Sequence, residues 1–340
     1  MEKIAVVIMN LGGPDSLDAV QPFLNNLFMD PDIFKLPFQK AFAGFISKRR
    51  APKVQEEYKL IGGKSPLNEW TELQRSKLEK KLREKYPGLD VITAMRYWHP
   101  LTDAAAETVR KGNYDKVILL PLYPHYSIST VGSSINEWNR VYKGDKSKVV
   151  AVNCYYEHEL YVRAISERID DTIKRFPEEK QKDINLLFSA HGTPMYMVKN
   201  GDPYSHEIKA TVDAVMALRK NDLPHHISYQ SKVGPIKWLE PGTDTKIEEL
   251  AAKGVKNLLV IPVSFVSDHI ETSCELDIEY RHVAEHAGYD NYIVMEGLNG
   301  QETFIEALAD ITINTINEND TCKICLSIRG NESSHCRRRN

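Results

Sequence analysis

Residues 258–275 read LLVIPVSFVSDHIETSCE, an unbroken apolar run followed at once by an acidic segment. Leucine, valine and isoleucine at successive positions predict a strand that is buried on both faces, as in a parallel sheet. In open α/β sheets, ligands bind beyond the carboxyl ends of the strands. The segment 264–275 therefore lies where a ligand site is expected.

Four polar residues of this segment could carry chemistry, namely Asp268, His269, Glu271 and Glu275. If a helix begins at Glu271, then Glu271 and Glu275 lie four positions apart in the sequence and share one face. With the imidazole they could remove protons or bind a divalent metal. They could equally be the ordinary acids of a helix start, which the helix dipole favours. The segment alone does not decide between these interpretations.

The same series of landmarks occurs twice along the chain, which indicates an internal repeat. Three pairs of segments align in the same order: IAVVIMNLGGP (4–14) with INLLFSAHGTP (184–194), ITAMRYWHP (92–100) with ISYQSKVGP (227–235), and KGNYDKVILLPLYPHYS (111–127) with AKGVKNLLVIPVSFVSD (252–268). Each half reads strand, helix, strand, helix, strand, which predicts two similar α/β halves.

The repeat also predicts the domain organisation. We expect a first domain over residues 1–155, a second over 156–317 whose last helix packs back, and a cysteine-rich extension over 318–340. Residues 22–52 have no counterpart in the second half and are strongly apolar until the basic cluster Lys48-Arg49-Arg50. Most of these side chains should fill an ordinary core. The alternative is an insertion whose remaining apolar surface forms a lip on a pocket or a membrane.

Composition excludes some partners and compartments. The 340 residues carry a formal net charge of −3, so there is no overall basic field of the kind that binds nucleic acid. The start of the chain lacks the pattern of a secretory signal, and no apolar stretch approaches the ~18 residues of a membrane-spanning helix. We therefore expect a cytoplasmic protein, or one peripheral to a membrane.

His191 is the second candidate for chemistry, because it sits in a turn at a strand end beside Gly192. The repeat places this turn next to the segment 264–275, so that His191 and Glu271 could project into one cleft. That is a general base with a carboxylate partner. Neither a GxSxG nucleophile turn nor a glycine-rich phosphate loop occurs in the sequence.

Several motifs together resemble those of the ferrochelatases, the family that inserts ferrous iron into a porphyrin during haem synthesis. The resemblance is collinear over about residues 3–315, and it rests on these segments: ISKRRAPKVQEEYKLIGGKSPL (46–67), AMRYWHPLT (94–102), LPLYPHYSISTVGSS (120–134), LFSAHGTP (187–194), YQSKVGP (229–235) and SFVSDHIETSCELDIEY (264–280). It implies two Rossmann-like domains with parallel sheets, and a porphyrin cleft between them.

The resemblance also implies roles for individual residues. His191 would bind the incoming Fe²⁺ and abstract pyrrole protons, with Glu271, also an iron ligand, opposed to it across the porphyrin plane. Asp268, His269 and Glu275 would form a surrounding polar relay. Seven residues would shape the pocket or meet the substrate: Leu11, Arg50, Tyr58, Arg96, Tyr123, Trp238 and Phe265.

The apolar insertion resembles the lip of this family, which implies peripheral docking on the inner membrane surface and a poorly soluble substrate. Protoporphyrin IX is then favoured over the more acidic coproporphyrin, and a homodimer is compatible with this branch of the family. Two other readings stay open. One is a chelatase for another metal, such as cobalt or nickel, or another tetrapyrrole. The other is a two-lobed protein that binds iron or haem without catalysis.

Five cysteines are present, and three of them lie in the last twenty residues, which is a ligand pattern more than a disulfide framework. Some ferrochelatases hold a [2Fe-2S] cluster with four cysteines. The resemblance therefore implies Cys154, Cys322, Cys325 and Cys336 as its ligands here. A zinc site or an unligated tail are the alternatives. Cys274 remains as a packed thiol near the site.

Overall fold

The computed structural model describes residues 2–317 except 35–37, 233 and 235, so Cys322, Cys325 and Cys336 lie outside the described residues. Its strands are β1 (Ile4–Asn10), β2 (Asp90–Met95), β3 (Lys116–Pro121), β4 (Val149–Ala151), β5 (Ile184–His191), β6 (His225–Gln230), β7 (Asn257–Pro262) and β8 (Asn291–Val294). Its α-helices are α1 (Val20–Phe28), α2 (Gln39–Leu60), α3 (Leu67–Arg83), α4 (Thr102–Gly112), α5 (Ser133–Val141), α6 (Glu159–Ile173), α7 (Met195–Lys199), α8 (Tyr204–Leu218), α9 (Thr243–Ala252), α10 (Tyr280–Ala287) and α11 (Glu302–Asn317).

The strands form two four-stranded sheets with the orders β2-β1-β3-β4 and β6-β5-β7-β8. Every neighbouring pair is parallel. The two orders correspond strand for strand, which confirms the predicted pair of similar α/β halves with parallel sheets. The apolar run that begins at Leu258 is β7, a central strand buried along its whole length, as a parallel sheet covered on both faces requires.

One detail of the predicted alignment is wrong. The sequence pattern paired Pro100 with Pro235, but the structural counterpart of Pro100 is Pro241. Met95 N donates to Pro100 O at 2.7 Å, and Tyr229 N donates to Pro241 O at 2.9 Å. Six residues (96–101) link β2 to α4, whereas twelve residues (231–242) link β6 to α9. The second half therefore carries a longer loop after β6, at the carboxyl ends of its parallel strands.

The two sheets share one large apolar core. It contains side chains of β1 and β5 together with side chains of α6 and α11. The last helix, α11, packs against α3 and α6, so that it joins the second half to the first. Because this core is continuous, the relative positions of the two sheets are fixed by buried apolar packing rather than by a thin hinge.

The insertion between β1 and β2 folds into α1 and α2, and its inner side chains are buried as the ordinary reading predicted. Phe23, Leu24 and Phe28 pack with Tyr97 in a separate apolar cluster. Its outer side chains stay in solvent: Phe38 is 88% exposed and Phe45 is 68% exposed. Basic residues Lys48, Arg49 and Arg50 are exposed on α2. Within the described ranges, no helix has both the length and the apolar character needed to cross a membrane.

His125, which follows β3, gives a prediction about acid stability. The residue is 2% exposed, and its Nε2 atom lies 2.9 Å from Thr211 Oγ1. Burial lowers the pKa of His125 to about 3, from an ordinary value of 6.5. As the pH falls from 6.5 towards 3, His125 becomes protonated in the unfolded chain but stays neutral in the folded chain. The free energy of unfolding should therefore fall by about 1.4 kcal/mol per pH unit through this residue.

Urea unfolding at several pH values between 7 and 4 measures this contribution. In His125→Asn, the free energy of unfolding should fall less steeply with decreasing pH than in the parent protein. The control His206→Asn changes an exposed histidine and should keep the pH dependence of the parent. Equal slopes for the parent and His125→Asn would show that the imidazole does not resist protonation.

Candidate active site

Three strand ends of the second sheet converge on the candidate site. His191 is the last residue of β5, Ser231 follows β6, and Ser264 follows β7 closely. Backbone contacts fix the turn at His191: Ser264 Oγ accepts a hydrogen bond from His191 N at 2.9 Å, and Gln230 O accepts one from Gly192 N at 2.8 Å. The imidazole is thus held by both neighbouring strand ends.

His191 and Glu271 are in direct contact. The Nδ1 atom of His191 lies 2.8 Å from Glu271 Oε2. Burial opposes charge on both groups, but their mutual attraction outweighs it. It raises the pKa of His191 above its ordinary value, and it lowers the pKa of Glu271 to about 2. The contact therefore favours the charged form of each group.

This contact bears on one prediction from the sequence without testing it. Atoms on opposite faces of an aromatic ring are separated by roughly 7 Å, twice a van der Waals contact. His191 and Glu271 are only 2.8 Å apart in the free protein, so a ring between them requires the two side chains to separate.

Glu275 joins this pair through a π-helix. Residues Glu271–Glu279 form a π-helix that continues directly into α10, instead of the predicted start of an α-helix. Glu271 and Glu275 do share a face, since Ser231 Oγ lies 3.4 Å from Glu271 Oε2 and 2.5 Å from Glu275 Oε2. Tyr280 OH also donates to Glu275 Oε1 at 2.8 Å. Burial and the charge of Glu271 raise the pKa of Glu275.

His269 lies behind Glu271 and packs against an aromatic ring. Its Nε2 atom is 3.9 Å from Glu271 Oε2, and its ring centroid is 4.0 Å from that of Phe265. Phe265 also packs edge-on against His191, with 6.1 Å between the ring centroids. Neither ring nitrogen of His269 has a hydrogen-bond partner among the described residues. Burial lowers the pKa of His269, which favours its neutral form.

Asp268 forms hydrogen bonds with the turn after β8 and not with His191 or Glu271. Its carboxylate accepts hydrogen bonds from Gly297 N at 2.9 Å and from Asn299 Nδ2 at 2.7 Å. Asn299 Oδ1 accepts in return from Asp268 N at 3.0 Å. A side chain at Gly297 would place its Cβ 2.8 Å from Asp268 N, so glycine is required for this close approach. These contacts hold the start of the acidic segment against the turn after β8.

Arg96 belongs to the first half of the chain, and its guanidinium lies beside two acidic side chains. Arg96 Nη2 lies 3.0 Å from Asp30 Oδ2 and 3.7 Å from Glu137 Oε2, and Arg96 Nε donates to Ser133 Oγ at 2.8 Å. The sequence predicted that this arginine meets substrate carboxylates. In the structure it ties the insertion to the first sheet, because Asp30 follows α1.

The other predicted substrate residues lie at different depths. Tyr58 is buried, and both burial and the charge of Glu271 raise its pKa. Half-buried positions are held by Leu11, Tyr123 and Trp238. Trp238 pairs with Pro194 in an isolated β-bridge. Arg50 is exposed on α2, with its guanidinium 5.9 Å from the centroid of the Phe28 ring.

Sequence reasoning missed three residues that hold the site: Ser231, Tyr280 and Asp30. Ser231 offered a signal, because it is a polar residue at a strand end, like His191. Tyr280 lies five residues after Glu275, a spacing that brings side chains together on a π-helix but not on an α-helix. Asp30 had no signal, since its partners Arg96, Tyr97 and Ser133 are 66 to 103 residues distant.

The predicted cluster ligands are covered only in part by the structure. Cys154 follows β4, is 8% exposed, and packs with Tyr126, Tyr156 and Ala210. Cys274 is buried in the π-helix, as the packed thiol that was expected. Among the described residues, no group of three or more histidine, cysteine, aspartate or glutamate side chains is arranged to hold a metal ion.

Gly192 gives a prediction for the turn at His191. A Cβ atom at this position would lie 2.8 Å from Gln230 O and 3.4 Å from Trp238 Cε3. We expect Gly192→Ala to destabilise the fold by ~1–3 kcal/mol, because backbone must shift to relieve the overlap. A matched control is Gly44→Ala in α2, where a Cβ meets nothing within 4 Å and where alanine should stabilise the helix by ~1 kcal/mol. Chemical unfolding of both variants tests this, and equal stability of Gly192→Ala and the parent would contradict it.

Comparison with known proteins gives one family. A family model described as ferrochelatase matches residues 3–316. A ferrochelatase of Aquifex aeolicus (strain VF5) is 46% identical over 318 residues, which cover 92% of this chain and 100% of that protein. A ferrochelatase of Trichodesmium erythraeum (strain IMS101) is 44% identical over 324 residues, which cover 93% of this chain and 83% of that protein.

Two solved structures share the fold at low sequence identity. SirB from Bacillus subtilis with Fe³⁺ has a TM-score of 0.53 at 12% identity, covering 93% of this chain and 96% of that chain. DR2241 from Deinococcus radiodurans, a multi-domain protein described as structurally similar to chelatases, has a TM-score of 0.52 at 12% identity. The match covers 94% of this chain and 56% of that one. At this identity, the likeness shows the fold alone.

Proposed function

The chain belongs to the ferrochelatase family, and we propose that it inserts ferrous iron into protoporphyrin IX, with His191 and Glu271 at the point of insertion. The observation that carries this assignment is the 2.8 Å contact between His191 Nδ1 and Glu271 Oε2 at the strand ends of the second sheet. It joins a base to a hard anionic ligand in one place.

The geometry suits removal of the pyrrole protons. Glu271 engages Nδ1 of His191, so Nε2 is the nitrogen left to accept a proton from the porphyrin. Once His191 is protonated, the adjacent Glu271 carboxylate stabilises the imidazolium. Because Glu271 favours the imidazolium, His191 must pass each proton on before it can accept the next. Glu271 contacts His191 directly, and Glu275 shares the hydroxyl of Ser231 with Glu271, so these two carboxylates relay the proton towards solvent in this scheme.

The same groups suit iron. Ferrous iron accepts imidazole nitrogen and carboxylate oxygen as ligands, and His191 and Glu271 offer one of each. In this proposal Glu271 separates from His191 when porphyrin binds and faces it across the macrocycle. The half-buried Phe265 and Trp238 limit solvent around this site.

Two observations favour protoporphyrin IX over coproporphyrin. Coproporphyrin carries two more carboxylates, but Arg96 is already paired with Asp30 and Glu137 and offers no spare positive charge. The exposed Phe38 and Phe45 suit a substrate that comes from a membrane.

Anaerobic assays with Fe²⁺ and each porphyrin, followed by the absorbance change of the macrocycle, test the assignment. We expect a higher kcat/KM with protoporphyrin IX than with coproporphyrin. Preference for coproporphyrin would overturn the choice of substrate. Turnover with Co²⁺ but not Fe²⁺ would favour a chelatase for another metal, and binding without turnover would favour a carrier.

We further propose that the insertion docks on the inner surface of the cytoplasmic membrane. Exposed phenylalanines could enter the interface while Lys48, Arg49 and Arg50 meet anionic headgroups. Flotation with vesicles that contain phosphatidylglycerol should retain the parent protein and lose the double variant Phe38→Ser/Phe45→Ser. Leu218→Ser, which changes an equally apolar exposed residue on α8, should still float. If the double variant floats as well as the parent protein, membrane docking through Phe38 and Phe45 is excluded.

The domain division at residues 155 and 156 is part of the same proposal, with 22–52 as the lip and 318–340 as the extension. It is supported by the end of β4 at Ala151 and the start of α6 at Glu159, which bracket the division. We add a homodimer to the proposal, and sedimentation of the purified protein tests it.

The proposal includes a [2Fe-2S] cluster held by Cys154, Cys322, Cys325 and Cys336. The length of chain between the described residues and Cys322 supports it. His158, four residues after Cys154, has its Nε2 atom 3.0 Å from Asp310 Oδ2 in α11. From Asp310 the helix runs about 10 Å to its end at Asn317, and five further residues can span ~17 Å. The length of chain after Asn317 therefore allows Cys322 to approach Cys154, which is 8% exposed.

Iron and sulfide analysis tests the cluster. Purified protein should be brown, and Cys322→Ser should lose this colour, while Cys274→Ser should keep it. A colourless protein with one bound zinc would replace the cluster by a zinc site, and a colourless protein without metal would leave the cysteines unligated.

A further inference from the structure

Ser231 has a backbone conformation that serine rarely adopts. It is the first residue after β6, and its φ angle is 65°, in the left-handed region. Glycine adopts this conformation without a steric penalty, whereas residues with a Cβ atom are strained there by roughly 1–2 kcal/mol. A serine at this position is therefore held there by its contacts.

Both polar groups of Ser231 contact the acidic π-helix. Its N–H donates to Glu275 Oε1 at 2.8 Å, and its hydroxyl donates to Glu275 Oε2 at 2.5 Å. The same hydroxyl oxygen lies 3.4 Å from Glu271 Oε2, which is the atom that contacts His191. Ser231 thus forms hydrogen bonds with both carboxylate oxygens of Glu275. It also contacts the oxygen of Glu271 that lies against His191.

The remaining contacts show what the hydroxyl adds. Glu275 Oε1 has a second donor, Tyr280 OH, at 2.8 Å. For Glu275 Oε2, the hydroxyl of Ser231 is the donor in the structure. Loss of the hydroxyl would leave Oε1 anchored and free Oε2 to turn towards Glu271. Two carboxylates in a half-buried site repel each other, so such a turn would displace Glu271 from His191.

We propose that Ser231 is a positioning residue: its left-handed backbone and its hydroxyl hold Glu275 in place, so that Glu271 stays on His191. This rests on the proposed function only for its kinetic consequence. The geometric consequence, the setting of the Glu271–His191 contact, exists in the free protein.

Glycine at this position separates positioning from folding, because it removes the hydroxyl and also removes the strain. We expect Ser231→Gly to be at least as stable as the parent in urea unfolding and yet to lose about tenfold or more in kcat, with a smaller change in KM. The matched control is Lys220→Gly, an exposed residue with φ 58° after α8. It should gain stability in the same way and keep full activity.

A second readout does not depend on turnover. In ¹⁵N-histidine spectra, the ring nitrogens of His191, assigned through His191→Gln, should shift in Ser231→Gly and stay unchanged in Lys220→Gly. If the parent protein has no chelatase activity, the proposed function is wrong. The spectrum still shows whether Ser231 sets the contact between Glu271 and His191.

Two results would overturn the proposal. One is a Ser231→Gly protein with kcat within twofold of the parent and an unshifted His191 spectrum. The other is a loss of activity that follows a loss of stability in Ser231→Gly, which would make the residue structural.

Discussion

His191→Ala is expected to lower kcat for iron insertion by roughly 10²–10⁴, the usual contribution of a positioned acid–base group. The porphyrin must lose two protons before it can hold the metal, and in the proposed function the imidazole of His191, which contacts Glu271, accepts them. The KM for porphyrin should change much less, because the apolar walls of the cleft remain. Anaerobic initial rates over a range of porphyrin concentrations measure both constants.

The control for this variant is His282→Ala, which removes an exposed histidine of α10. Its kcat should equal that of the parent. Glu271→Gln is the companion variant: it keeps the shape of the side chain but removes the charge that stabilises the imidazolium, so it should also lose activity. Circular dichroism should show that all three variants are folded. Full activity of His191→Ala would exclude it as the base.

The fold was predictable because its signals are local. The apolar run at residues 258–263 and its counterparts each predicted a buried strand, and their repetition predicted two similar halves. Gly192 and Gly297 stand where a close approach of backbone demands them, but only Gly192 lies in a motif that the sequence singled out. Local pattern therefore gave the sheets and the cleft edge.

The geometry of the site was less predictable, because it depends on side-chain direction. Sequence placed His191 and Glu271 in one cleft, but whether two side chains from different loops touch or face each other is not encoded in spacing. The π-helix from Glu271 to Glu279 widens the turn and brings Glu275 and Tyr280 onto Ser231, whereas the predicted α-helix would not have joined all three. The left-handed backbone of Ser231 had no signature either, since glycine or asparagine is the usual sign.

Arg96 shows the same limit for charge. The substrate contact of Arg96 stays a prediction, but its ion pair with Asp30, 66 residues away in the sequence, was not foreseen. Pairing between distant residues depends on how α1 packs against the first sheet. No local pattern specifies that packing.

Asp30→Ala is expected to destabilise the protein by ~3–5 kcal/mol, the largest stability effect predicted here. Asp30 is 1% exposed, and its carboxylate meets Arg96, Tyr97 OH and Ser133 Oγ. Among the described residues, alanine would leave the buried guanidinium with Glu137 at 3.7 Å and Ser133 Oγ at 2.8 Å, and it would leave two buried hydroxyls without the Asp30 acceptor. Urea unfolding measures the loss. Asp213→Ala, which breaks an exposed pair with Lys209 on α8, should change stability little.

A double-mutant cycle with Arg96→Met separates the ion pair from the hydroxyl contacts. Removing only Arg96 leaves the Asp30 carboxylate with two hydroxyl donors, whereas removing only Asp30 strands the arginine charge. The double variant should therefore be less destabilised than the sum of the single variants, because it buries no unpaired guanidinium. Strict additivity would mean that Arg96 finds water or Glu137 as a full substitute. In that case the arginine would be free to turn towards a substrate carboxylate, as the sequence first predicted.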